Sequence, residues 1–318
     1  MKCALLHEPG GPPRYEELPD PVPGEGETIV RVLAASIKPV DRQMASGTHY
    51  ASPREFPVVC GIDGVGQLED GTRVFFGGPR RPYGAMAERT VVARARCWPV
   101  PAALDDATAA ALPNPALSSW LPLMWSARLA AGETVLILGA TGTAGRLAIQ
   151  IARLLGAGRV VAAGRNPEVL RQLPALGADA VISLDGPDAD ITQAFARAAG
   201  EKGYDVIVDY VWGRPTELLL ASLNRGEFSM KPAGPRLIPI GESAAPAISL
   251  PAAVLRSAAL SILGGGFPPF PKLMEAFHQA LAYAVEGKLR IETERVKLQD
   301  ITEIWRRPAR GPRLVVIP

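Results

Sequence analysis

The stretch from Thr134 to Arg153, TVLILGATGTAGRLAIQIAR, restricts the fold more than any other part of the chain. Residues 134–138 form a short β-branched and aliphatic run, of the kind buried on both faces of a parallel sheet. Gly139, Gly142 and Gly145 follow at three-residue spacing. Glycines so placed let the chain turn tightly, bring backbone N–H groups against a pyrophosphate and let the next helix pack on the strand. A helix starting near Thr143 and Ala144 would point its positive end, with their backbone N–H groups, at that phosphate. The spacing is GxxGxxG rather than GxGxxG, so its weight comes from its place between a strand and a helix. With the strand-like run at 159–163, these residues read as the first unit of a dinucleotide-binding domain.

The end of the second strand selects the nucleotide. An NAD-binding domain usually has a carboxylate about 20 residues past the glycines, bonded to the ribose 2′-hydroxyl. Here Gly164, Arg165 and Asn166 take that place, and the first acid is Glu168. A carboxylate would repel a 2′-phosphate, whereas a guanidinium grips it with two charge-assisted hydrogen bonds. NADPH is therefore the expected cofactor.

At 318 residues the chain is long enough for two domains with separate cores. Its net charge of +2, from 34 basic and 32 acidic residues, gives no reason to expect nucleic acid or a membrane as partner. No run of eighteen apolar residues occurs, so a cytoplasmic protein is expected. Cys3, Cys60 and Cys97 are odd in number and far apart, which argues against a disulfide framework. Cys60 reads as a small buried hydrophobe. Up to about residue 115, β-like segments (28–35, 72–76, 86–93) alternate with Pro- and Gly-rich turns, suggesting a compact β-barrel-like domain. Beyond residue 117, strands are predicted at 134–138, 159–163, 180–182, 205–209, 236–240 and 260–263. Helices between them, including 143–155, 168–176 and 191–199, complete a doubly wound parallel sheet. A helix at 271–286 and β-like segments ending at 313–317 are expected to return to the first domain.

Several motifs together resemble the medium-chain dehydrogenase/reductase superfamily, in its zinc-independent quinone oxidoreductase branch. They are AASIKPVDRQMASG (34–47), FPVVCGIDGVG (56–66), GAMAERTVV (84–92) and AAALPNPALSSW (109–120). AGETVLILGATGTAG (131–145), LGADA (176–180) and GYDVIVDY (203–210) extend the likeness over nearly the full length. The resemblance implies an α/β fold with a GroES-like β-barrel catalytic domain, residues 1–118 and 267–318, and a Rossmann domain, residues 119–266. It places the active site in the cleft between them. Zinc-dependent members ligate a catalytic metal at places held here by Lys38, by Ile62 with Asp63, and by Asn114, so no metal is expected. The implied reaction is NADPH-dependent hydride transfer to a quinone or an α,β-unsaturated carbonyl, which need no Lewis acid.

For catalysis the resemblance points to Lys38 as donor to the substrate oxygen, with Gln43 and Tyr50 lining the pocket, against the plainer reading of Lys38 paired with Asp41. Asp41 itself reads as a cap or turn residue. Ser118, Gly241 and the loop Gly264, Gly265, Gly266, Phe267 fall where the family contacts its cofactor. Trp212 reads as core or as a wall beside the adenosine. An enoyl-thioester reductase, with Arg42, Arg80 and Arg81 gripping a phosphopantetheine arm, is one alternative; a non-catalytic NADPH-binding protein is another. A homodimer joined at the last strand of the Rossmann sheet is the assembly the family suggests. A fluorescence titration with NADPH and with NADH checks the strand-end argument: tight binding of NADPH alone is expected, and a preference for NADH would overturn it.

Overall fold

In the computed structural model, described for residues 1–223, 234–266, 268–308 and 310–318, the chain forms two compact units, Met1–Pro113 with Leu281–Pro318, and Asn114–Ala280. The N-terminal segment contains β1 (Lys2–Leu6), β2 (Arg14–Glu17), β3 (Glu27–Ser36), α1 (Pro39–Ser46), β4 (Val58–Val59), β5 (Asp63–Gln67), β6 (Arg73–Gly77), β7 (Arg89–Ala93), β8 (Cys97–Pro99) and α2 (Asp106–Ala111). Then come α3 (Pro113–Leu121), β9 (Thr134–Leu138), α4 (Thr143–Leu154), β10 (Arg159–Gly164), α5 (Pro167–Leu170), β11 (Ala180–Ser183) and α6 (Asp188–Ala199). The central segment continues with β12 (Val206–Asp209), α7 (Arg214–Leu223), β13 (Arg236–Pro239), α8 (Ala252–Ser257), β14 (Ser261–Ile262) and α9 (Phe270–Val285). The tail supplies β15 (Thr293–Lys297), α10 (Ile301–Arg306) and β16 (Arg313–Ile317).

In the first unit the ten-residue β3 is the spine, pairing antiparallel with β5, β7 and β16. The sheet runs β15-β16-β3-β5-β6-β8, with β7 also on β3, and a second sheet runs β2-β1-β4. Val30, Val32, Phe76, Met86, Val92 and Val316 belong to one buried cluster, so strands from both chain ends share a core. This is the GroES-like architecture. The β-like end of the tail joins the first unit through the β16–β3 pairing, whereas α9, expected there as well, falls in the second unit up to Ala280.

In the second unit six strands run in the order β11-β10-β9-β12-β13-β14, and every pairing is parallel. The order reverses at β9, the first strand of the unit, so a crevice opens beyond the carboxyl ends of β9 and β12. β9 is buried along its whole length, which is why its run shows no polar alternation. One face of the sheet carries Leu136, Leu138, Val161, Phe195, Ile207 and Leu219 in a common cluster. Tyr204 donates its hydroxyl hydrogen to the Phe195 carbonyl at 2.7 Å, closing α6 over that face.

Some element bounds differ from the sequence expectation. The helix expected at 168–176 divides into α5 and a separate 3₁₀ turn, Leu173–Leu176. Pro174, second in that turn, has no N–H to extend α5. α6 begins at Asp188, three residues before the apolar pattern, because Asp188 and Asp190 suit the positive first turn. β14 keeps only two residues of the expected four. Among the described residues no helix is long and apolar enough to cross a membrane. Phe195→Ala empties a fully buried site and is expected to cost about 3–5 kcal/mol, measured by denaturant unfolding of the intact chain.

Candidate functional site

The glycine turn is tied to its surroundings by backbone. The Gly139 and Ala140 N–H groups both donate to the Ala163 carbonyl of β10, at 2.9 and 2.8 Å, and Gly142 N–H donates to the Gly139 carbonyl at 3.0 Å. A Cβ at Gly145 would stand 2.4 Å from the Gly139 oxygen and 2.5 Å from the Ala140 Cα, so α4 packs on the turn only with glycine there. Thr143 and Ala144 open α4. Gly142 at its N-cap offers no side chain, and the first turn holds no acid. The positive end of a twelve-residue helix is thus left for an anionic ligand.

At the end of β10, Gly164 is buried against Thr141, while Arg165 is exposed and has no partner among the described residues. A pyrophosphate at α4 and a 2′-phosphate at Arg165 fit these groups. Asn166 has a different use: its Oδ1 accepts from the N–H groups of Glu168 and Val169 and caps α5.

In the turn after β12 the sequence pointed to Trp212 but not to Asp209. Asp209 is fully buried, and its carboxylate accepts from Val211 N–H (2.8 Å), Trp212 N–H (2.9 Å) and the Thr216 hydroxyl (2.5 Å). Burial raises its pKa, and these three donors pull the other way. They hold Trp212 in a left-handed conformation, φ 56°. Trp212 packs half-buried against the core of the unit. Beside the turn, the Tyr210 hydroxyl pairs with Ser119 Oγ at 2.7 Å, and Ser119 also reaches the Ala144 carbonyl at 3.3 Å. Burial pushes the Tyr210 phenol up. The hydroxyl joined to the start of α4 is therefore that of Ser119, whereas Ser118 bonds the Pro115 carbonyl of its own helix. Two adjacent serines and a tyrosine closing DVIVDY were the available signal.

Gly241 N–H donates to the Asp209 carbonyl at 3.2 Å, and a Cβ there would stand 2.7 Å from the Tyr210 oxygen. The ends of β9, β12 and β13 thus converge. Gly264, Gly265 and Gly266 are exposed, with no atom within 4 Å of an added Cβ. Gly264 and Gly266 border a depression of about 320 Å³ with Trp125 and Leu263. Phe267 lies outside the described residues.

In the first unit Lys38 is 1% exposed. Its Nζ lies 2.9 Å from Asp63 Oδ1, 3.2 Å from Asp41 Oδ2 and 3.1 Å from the Ser36 carbonyl. Three acceptors match the three ammonium protons, so donating to a substrate would require giving one up. Burial alone would lower the Lys38 pKa, but Asp41 and Asp63 outweigh it and hold it raised. For Asp63 burial wins and raises the pKa, with Lys38 opposing. Asp41 also accepts from Lys38 N–H at 2.8 Å, capping α1, and from Ile62 N–H at 3.3 Å. Lys38 is thus neither a surface ammonium nor paired with Asp41 alone.

A cavity of about 390 Å³ adjoins this cluster, with Asp41, Met44, Ala45, Cys60, Ile62 and Arg81 on its walls. Gln43, half-buried on α1, does not border it among the described residues. Tyr50 is 97% exposed and lies 4.0 Å from the His49 ring between centroids. Tyr50 faces solvent because it follows α1 in an exposed turn, so the pocket-lining place expected for it is not where its side chain lies. Cys60 is buried in the core, and burial pushes its thiol up.

Residues 144–229 match the family described as zinc-binding dehydrogenase. The chain is 30% identical over 255 residues to a quinone oxidoreductase of Lama guanicoe, covering 76% of this chain and 73% of that one. It is 27% identical over the full length of both chains to a probable NADPH-dependent quinone reductase, tdiC, of Emericella nidulans. The quinone oxidoreductase of Thermus thermophilus, solved also as its NADPH complex, superposes with a TM-score of 0.79 at 30% identity, covering all of both chains.

A zinc ion does not fit the residues at 38, 62 and 63. The matched segment, 144–229, includes none of them. An ammonium lies between the two carboxylates, where a metal would need thiolate, imidazole or free carboxylate ligands. The cluster is instead an ammonium shared by two carboxylates, and Lys38→Met would leave both facing an apolar side chain. We expect a loss of about 3–5 kcal/mol, read as a drop in Tm, with partial recovery when Asp63→Asn is added.

Proposed function

The chain belongs to the quinone oxidoreductase branch of the medium-chain dehydrogenase/reductase superfamily, and we infer that it is an NADPH-dependent oxidoreductase acting on a quinone or an α,β-unsaturated carbonyl. The observation that carries this reading lies in the second unit: an uncapped α4 beside the glycine turn, with Arg165 at the end of β10 and unpartnered among the described residues. Thr143, Ala144 and Gly145 would hold the pyrophosphate, and Arg165 the 2′-phosphate. Gly164, Gly241 and Ser118 would flank the nucleotide. The Ser119–Tyr210 pair and the Asp209-bound turn fix the crevice around them. Bound NADPH supplies a hydride, and the chain's own task is to orient the acceptor and exclude water.

On the acceptor side, the apolar walls of the first unit's cavity suit a flat conjugated ring. Lys38, with its protons engaged, acts as a positioning residue that ties the segment before α1 to Asp63 at the start of β5. Turnover restored together with Tm in the Lys38→Met, Asp63→Asn pair supports positioning. Stability without turnover would mark Lys38 as the donor itself. For the enoyl-thioester alternative, Arg80 is ion-paired to Glu27, and Arg42 donates to the Arg307 carbonyl and lies over the Trp305 ring. Of the three arginines of that alternative, this leaves Arg81 alone without a carboxylate or ring partner among the described residues.

We further propose a homodimer joined through β14, which has a partner on one side only, and a cytoplasmic setting, in keeping with three free cysteines. The reaction is tested by following NADPH oxidation with 1,4-naphthoquinone and with a simple enone. Arg165→Asp is expected to raise the KM for NADPH about 10- to 100-fold while leaving NADH unaffected or improved. An unchanged NADPH KM overturns the assignment of Arg165; absence of turnover with either acceptor overturns the reductase reading.

A further inference from the structure

The cavity of the first unit is lined by apolar side chains and by arginines. Leu6, Met44, Ala45, Val58 and Cys60 are among the apolar ones. Among the described residues its one lining carboxylate is Asp41, which pairs with the Lys38 ammonium that Asp63 also shares. Arg81 and Arg96 also line it, and both are exposed.

The neighbouring arginines set these two apart. Arg73 pairs with Asp106, Arg80 with Glu27, Arg89 with Asp20 and Arg94 with Asp70. Arg81 and Arg96 have no carboxylate partner among the described residues. Arg81 is nonetheless held in place, its Nη2 donating to the Ala51 carbonyl at 2.7 Å. Arg96 lies against the turn at Gly78, where an added Cβ would meet its Nη1 at 2.1 Å. Glycine leaves the room that this guanidinium fills. Two placed guanidinium groups at one apolar cavity, without carboxylate partners among the described residues, form a site for an anion.

We propose that the acceptor carries an anionic substituent, with its conjugated ring against the apolar lining and its oxyanion bound by Arg81 and Arg96. The assignment of the ring's carbonyl as the reducible group rests on the reductase reading above; the anion site does not. A cavity of about 390 Å³ holds a one- or two-ring acceptor with such a substituent.

The test uses 1,4-naphthoquinone-6-carboxylate and its methyl ester with the full-length protein. Isothermal titration measures affinity, and NADPH oxidation measures turnover. The carboxylate is expected to bind about tenfold or more tighter than the ester, and the ratio should shrink when salt is raised. In R81Q/R96Q the ratio is expected to fall to within about twofold of one. Unchanged Tm confirms that the variant folds, and R81K/R96K, which keeps both charges, should retain part of the ratio. Equal affinity for acid and ester, or a preference that survives R81Q/R96Q, overturns the proposal. Tight, arginine-dependent binding of the acid without its reduction supports the anion site and counts against the reductase reading. Reduction of both compounds with equal affinity does the reverse.

Discussion

A side chain at position 145 would meet the Gly139 carbonyl oxygen at 2.4 Å, so the start of α4 rests directly on the backbone of the turn after β9. That contact aims the helix. It keeps Thr143 and Ala144 at the open end of the sheet, where no side chain caps them and no acid cancels the helix dipole. The rest of the crevice is built against the same turn. Gly139 and Ala140 hang from β10 through the Ala163 carbonyl. A Cβ at Gly139 would meet Val211 of the β12 turn at 2.9 Å. The Asp209 carboxylate fixes that β12 turn in place. The cofactor side is therefore set mainly by backbone geometry, which tolerates little adjustment.

The first unit achieves order at its buried loop by another means. Lys38, Asp41 and Asp63 lie at the start of α1 and the start of β5, and their mutual attraction ties those segments together. A buried ion cluster is costly to desolvate, so its merit lies in specifying an arrangement more than in adding net stability. A metal held by thiolates would tie the same segments; an ammonium does it here without ligand-field geometry or an exchangeable position. Electrophilic help for a carbonyl must then come from hydrogen bonds or from the acceptor's own reactivity, which agrees with an acceptor conjugated enough to take a hydride unaided.

The sequence disclosed most where backbone sterics decide. β9 and β16 fall at the expected residues, and the other Rossmann strands within one or two, because apolar runs and glycine turns leave few ways to build a parallel sheet. The glycine turn was legible for the same reason. Side-chain partnerships were less so. Ser119 rather than Ser118 meets Tyr210, a choice made by which face of α3 turns toward α4. Asn166, placed beside the cofactor by its position, is occupied in capping α5. Tyr50 follows α1 into solvent, and Lys38 finds Asp63, 25 residues away, as well as its local neighbour Asp41. Such pairings depend on tertiary packing, and no periodicity encodes them.

Charge pairing gives a second reading of the surface that composition hides. With 34 basic and 32 acidic residues the chain looks nearly neutral, yet its guanidinium groups are not equivalent. Those braced by carboxylates, such as Arg73, Arg89 and Arg94, have their charge answered within the fold. Arg165 at a strand end and Arg81 and Arg96 at a cavity have no carboxylate partner among the described residues. A solvated arginine on a convex surface loses little by being unpaired, since water answers its charge. One beside an apolar concavity can hold an oxyanion whose apolar part is buried there. The two ligands inferred for this chain, one with a 2′-phosphate and one with an acidic ring substituent, follow from that difference in setting rather than from the number of arginines.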